Sequence, residues 1–140
     1  MKLARHTIVG LAGILGGIKI NRIEDKEAKA VLLKDYLAIR KAAKEAEADR
    51  EEIVRKFQED WMAEIPAIEK FRKENKPVLG HLDYLDAEKD ANKAISDIFS
   101  TEVDIDIKPV PTDDFVASCG DEELSLEQIA FLSECGLLEG

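Results

Sequence analysis

Apolar positions recur along this chain with two different periods, and the switch between them predicts where helix gives way to strand. From Asp25 to Asp60 there is no glycine or proline. Within that stretch Leu32, Tyr36, Ile39, Ala43, Ala46, Arg50, Ile53 and Phe57 are spaced alternately four and three residues apart. Such spacing is an a/d seam kept up for nearly four heptads, the signature of a long helix that lays one stripe against a neighbour. At ~1.5 Å per residue the helix would be about 50 Å long. A 140-residue globule is barely that wide, so the helix is expected to protrude or to be matched by a second copy. Leu33 and Leu37 widen the apolar face in the first half, and Ala42, Ala43 and Ala46 thin it in the middle.

Shorter elements flank this helix. Residues Leu3 to Leu15 read as a first helix, with Leu3, Ile8, Leu11, Ile14 and Leu15 apolar. Gly10, Gly13 and Gly16 recur on it, each costing about 1 kcal/mol against alanine, a cost that close backbone packing would explain. Ile18 to Ile23 alternates and is a strand candidate. Trp61 to Asn75 predicts a third helix and Asp86 to Phe99 a fourth, separated by Lys76, Pro77 and Gly80. Thr101 to Lys108 then alternates apolar and charged, the period of a half-buried strand. Its partner is expected to be the Ile18 to Ile23 stretch, with Lys19 or Arg22 opposite Asp104 and Asp106. Thr112 to Val116 reads as a helical turn. Ser125 and Gln128 form a capping box ahead of Ile129, Phe131 and Leu132, and Gly136 is the stop signal. The fold class is therefore mainly α with minor β: one long heptad-patterned helix, shorter helices and a small two-stranded element. It is read as a single helical domain over 1–140, with an N-terminal helix or arm over 1–23 and an acidic strand plus helix over 100–140.

Charge sharpens this picture. Met1 to Ile23 carries Lys2, Arg5, Lys19 and Arg22 and no acid, whereas Ser100 to Gly140 carries eleven acids and the single base Lys108. The net charge is −10. A basic head and an acidic end suit head-to-tail contact, within one chain or between copies. The acidity argues against nucleic-acid and anionic-membrane binding, which need clustered Lys and Arg. Thr7 to Ile18 imitates a secretory core, yet it falls short of a spanning helix and no cleavage signal follows it, so a buried or subunit-facing helix is expected. Cys119 and Cys135 match neither a disulfide framework nor a zinc site and are read as reduced; one bridge between them is the alternative.

The final third resembles the end of a family of small siphophage proteins of unknown function. In these a long charged helix leads to a T-E-V-x-I-x-I strand, an acidic turn and a short closing helix. The matching pieces here are Thr101 to Ile107, Thr112 to Phe115 and Leu126 to Leu132. The alanine-rich Ala28 to Ala48 stretch is similar in outline, and the glycine-rich head departs from the pattern. The resemblance implies a phage origin and carries no established activity.

Candidate chemistry is sparse. Arg50 replaces an apolar residue on the seam, where it would hold a phosphate or carboxylate together with Arg40 and Lys44, or snorkel and pair with an acid. Asp104 and Asp106 project from one side of a strand, but nothing completes a metal site. His6 and His81 are too few for zinc or a nucleophile–base pair, and Cys119 lacks the electropositive setting of a reactive thiol. Trp61 is an interface anchor or a hinge residue, and Asp121 to Glu123 complements the last helix. No catalytic set, metal or cofactor is expected. The expected function is that of a non-enzymatic phage protein acting by assembly, as a virion accessory or morphogenesis factor, in the host cytoplasm or the virion. It is expected to homo-oligomerise through Leu32, Tyr36, Ile39, Ala43, Ala46, Ile53, Phe57 and Trp61, with other phage or host proteins as further partners. The alternative is a counter-defence protein that sequesters a nucleotide signal or a basic host protein.

Overall fold

A computed structural model of the chain describes residues 1–74, 82–119 and 124–139. Strand β1 (Lys2–Ala4) leads directly into α1 (Arg5–Leu15), and a 3-10 turn at Ile20–Arg22 precedes the long α2 (Lys26–Asp60). Helices α3 (Ile65–Lys73) and α4 (Leu82–Ser100) follow, then β2 (Glu102–Asp104), β3 (Val110–Pro111), α5 (Thr112–Ser118), α6 (Leu126–Glu134) and β4 (Leu138–Glu139). The fold is mainly α with a minor β component, as the periodicity predicts. The predicted breaks at Lys76, Pro77 and Gly80, and the Asp121 to Glu123 cluster, lie outside the described residues.

Packing divides the chain into two compact units, Met1–Glu45 with Thr101–Gly140, and Ala46–Ser100. In the first, α1 buries Ile8, Leu11 and Leu15 along one face, the i, i+3, i+7 stripe of an amphipathic helix. These join Leu32 and Ile39 of α2, Phe115 of α5, and Val110, Leu132 and Leu137 in one apolar cluster. The glycines of α1 do not serve a close backbone approach. A Cβ on Gly10 would meet only the Phe131 ring, and one on Gly13 would meet open space.

The strand pairing corrects the expectation. Thr101 to Lys108 finds its partner in β1, antiparallel, with Lys2 opposite Asp104, Leu3 opposite Val103 and Ala4 opposite Glu102. Leu3 therefore belongs to a strand and not to the first helix. Flanking bonds extend the ladder: Ile105 N–H donates to the Met1 carbonyl (2.9 Å) and Arg5 N–H to that of Thr101 (3.0 Å). The Met1 ammonium donates to Asp104 Oδ1 at 3.0 Å and holds that carboxyl below its usual range. Ile18 to Ile23 instead turns, because Lys19 N–H donates to the Ser118 carbonyl at the end of α5 (2.6 Å). The basic head and acidic end thus do meet within one chain, through the strand that precedes α1. A second, parallel pair joins Val110 to Leu138 and Pro111 to Glu139.

Helix α6 starts and stops as its residues dictate. Ser125 Oγ accepts from Gln128 N–H (3.1 Å), and Gln128 Oε1 accepts from Ser125 N–H (2.9 Å). Gly136 then takes φ +81°, a left-handed conformation that a side chain resists. Ser125→Ala removes one half of the capping box and is expected to lower stability by about 1 kcal/mol. Ser125→Asp keeps the acceptor and should fall near wild type, both read as denaturant midpoints.

The second unit is built from the second half of α2 with α3 and α4. Tyr84 is its buried ring, packed at 5.3 Å against Phe57 and edge-on at 5.6 Å against Trp61. Arg72 on α3 grips Glu88 on α4 with two bonds of 2.7 and 3.0 Å, which holds the Glu88 carboxyl below its ordinary range. Helix α3 begins at Ile65, four residues later than the periodicity suggests. Pro66 fits only the first turn of a helix, where its missing N–H is not needed.

Candidate functional site

Two surface cavities of the first unit lie along α2, and the residues of that helix decide their opposite characters. The first, of about 190 Å³, is walled by Leu15, Ile18, Ile20, Leu32, Leu33 and Tyr36, with Gly16 beside them. It exists because α1 stops at Gly16–Gly17 and the following turn leaves Ile18 and Ile20 facing α2 without filling the space. Leu33 on its wall is 47% exposed, and Leu37 one turn further is 52% exposed. Large apolar side chains on successive turns beside an apolar cavity form a continuous patch, the kind of surface that marks an interaction site.

The charged collar of this patch has one sign. The charged residues three or four positions from Leu33 and Leu37, and so on neighbouring turns of the helix, are Lys29, Lys34, Arg40 and Lys41. Lys19, exposed between Ile18 and Ile20, adds a fifth base.

The second cavity, of about 350 Å³, is polar and is lined by Glu27, Ala30, Val31, Lys34, Asp35, Asp106 and Lys108. Asp35 is only 2% exposed. Its Oδ1 accepts from the Lys108 backbone N–H at 3.0 Å, while Oδ2 has no hydrogen-bond partner. Loss of hydration pushes the Asp35 carboxyl up to about 6, against the pull of the Lys108 N–H, and the Asp106 carboxylate pushes the same way as burial. The periodicity missed this residue. The buried positions of α2 are Ala28, Leu32, Asp35, Ile39, Ala43 and Ala46, so an aspartate takes the seam position that the apolar pattern gave to Tyr36. Its signal was its place three residues after Leu32 and four before Ile39.

The residues that the sequence nominated are dispersed. Leu32, Ile39, Ala43 and Ala46 are buried within the single chain, and Tyr36, Ile53, Phe57 and Trp61 are half-buried. Arg50 is exposed and pairs with Glu47 at 3.0 Å along the helix. Arg40 and Lys44 are exposed one turn apart. Asp104 is engaged by the Met1 ammonium while Asp106 faces the Asp35 cavity, so the two carboxylates serve different neighbours. Among the described residues no three acid, histidine or cysteine side chains converge as metal ligands. His6 is exposed, with Nδ1 3.4 Å from Thr7 Oγ1, and His81 lies outside the described residues. Cys119 and Cys135 are buried thiols not joined in a disulfide, and burial pushes that of Cys135 up. Among the described residues no helix is long and apolar enough to cross a membrane.

No protein-family model, curated protein or solved structure matches the chain.

Proposed function

We propose that this chain acts without catalysis, by assembly with further copies of itself, as a phage virion accessory or morphogenesis factor in the host cytoplasm or the virion. The observation that carries the reading is the apolar patch on α2. Leu33 and Leu37 stay about half exposed beside an apolar cavity, on a helix whose opposite face is fully committed to the core of its own chain. Leaving such a patch in water forgoes about 1 kcal/mol for each of these half-exposed leucines that contact would bury. A second copy can supply that contact. The phage setting rests on the resemblance of Thr101 to Ile107 and Leu126 to Leu132 to siphophage proteins.

Light scattering over a range of concentrations, with and without a panel of nucleotides, tests this proposal. The expected result is a mean mass that rises with concentration and ignores every nucleotide. A mass that stays at 15.6 kDa at every concentration would sink it. Association or stabilisation that depends on one nucleotide would favour sequestration, with Arg50, Arg40 and Lys44 as the residues to replace next.

A further inference from the structure

We infer that the contact between copies is head to tail, with Leu126 of one chain seated in the apolar cavity of the next. This rests on the assembly reading and adds which surfaces meet. Leu126 opens α6 and is 85% exposed, the most exposed of the large apolar side chains among the described residues. It therefore leaves the cavity of its own chain unfilled. The cavity walled by Leu15, Ile18, Ile20, Leu32, Leu33 and Tyr36 holds about 190 Å³. An apolar cavity of about 150 Å³ accepts a benzene molecule, so this one suits a single leucine side chain.

Charge selects the same pairing. Lys19 is exposed between the wall residues Ile18 and Ile20, and Lys29, Lys34, Arg40 and Lys41 stand one helical turn from Leu33 or Leu37 on α2. Helix α6 carries Glu127 beside Leu126, and Glu134 at its end, and no base. Two cavities brought face to face would oppose bases with bases, and two α6 termini would oppose acids with acids. Only knob against cavity joins unlike charges, and it uses two different surfaces of the molecule. Such a heterologous joint leaves a free knob at one end and a free cavity at the other, so it builds rings or open chains and not a closed two-fold dimer.

The test uses two variants of the full chain. Leu126→Glu spoils the knob and keeps the cavity; Leu33→Glu spoils the cavity and keeps the knob. Both sites are exposed enough for the fold to survive, which circular dichroism checks. Each variant alone is expected to remain monomeric where the wild-type chain associates. Mixed in equal amounts they are expected to form a two-chain species and nothing larger, because each keeps the half that the other lost. Arg40→Glu, at an exposed position, is expected to weaken wild-type association about fivefold at low salt, and added salt to erase that difference. Variants that associate like wild type, or a mixture that stays monomeric while wild type associates, would overturn the head-to-tail joint and leave assembly through another surface standing. A wild-type chain that never associates would overturn assembly itself.

Discussion

Phe115→Ala is expected to cost about 3–5 kcal/mol of stability, the range for emptying a fully buried aromatic site. Phe115 is 0% exposed and heads the fully buried side chains by size. It stands on α5, a helix of only 7 residues, too short to persist without tertiary contacts. Helix α5 packs against the Ile20–Arg22 turn and both strands of the parallel pair. It also ties itself inward, since Ser118 Oγ donates to the Phe115 carbonyl (2.6 Å) and Lys19 N–H to that of Ser118. Removing the ring opens a void at a place where short elements depend on it for position, so little collapse can refill the space. Folded domains of this size are stable by about 5–15 kcal/mol in total, which makes the loss a large share. Guanidinium unfolding followed by ellipticity should show a lower midpoint at unchanged slope. Val116→Ala on the next residue is the control: that side chain is 52% exposed and its loss should stay within about 0.5 kcal/mol. Equal shifts for the two variants would mean that α5 does not dock through Phe115.

What the sequence made legible follows from which physical signals are local. The Lys26–Asp60 helix was readable because heptad spacing over so many turns, without glycine or proline, has no competing explanation. The end of the chain was readable for a different reason. Ser125, Gln128 and Gly136 act on backbone groups only a few residues away, so their roles need no knowledge of the rest of the fold. The strand pairing was not readable. Lys2–Ala4 is three residues long, and so short a run has no period of its own; its ladder is dictated by β2, a hundred residues further on. Ile18 and Ile20 alternate as a strand would, yet they face an apolar cavity beside α2, and the Lys19 N–H between them is taken by the Ser118 carbonyl of a distant helix. The charge split predicted that head and tail meet and mistook which head residues do so. Apolar periodicity also hides any polar residue that the core has taken in, so it puts Tyr36 on the seam where the fold buries Asp35.

Asp35→Asn is expected to stabilise the chain by up to about 3 kcal/mol at about pH 8 and to do little at about pH 4 and below. The carboxyl is pushed up to about 6 from an ordinary 3.8, so the folded chain holds this proton to higher pH than the unfolded chain does. A raised carboxyl favours folding most below the unfolded value; that contribution fades between about pH 4 and 6 and is absent above. Roughly two pH units at about 1.4 kcal/mol each set the size. Burial fixes the sign: the Asp106 carboxylate adds to it, while the Lys108 backbone N–H and ammonium oppose it without overcoming it. Asparagine keeps an oxygen for the Lys108 N–H and removes the charge whose second oxygen has no partner. Asp35→Ala removes the charge and the acceptor together, leaving that N–H unbonded. It should fall below Asp35→Asn by about 1–3 kcal/mol at every pH. Unfolding midpoints at about pH 4 and about pH 8 for the three chains separate these contributions. Should asparagine weaken the chain at pH 8, the Asp35 charge would have to be held by a cation in its cavity, since only a compensated buried carboxylate is missed when it is neutralised.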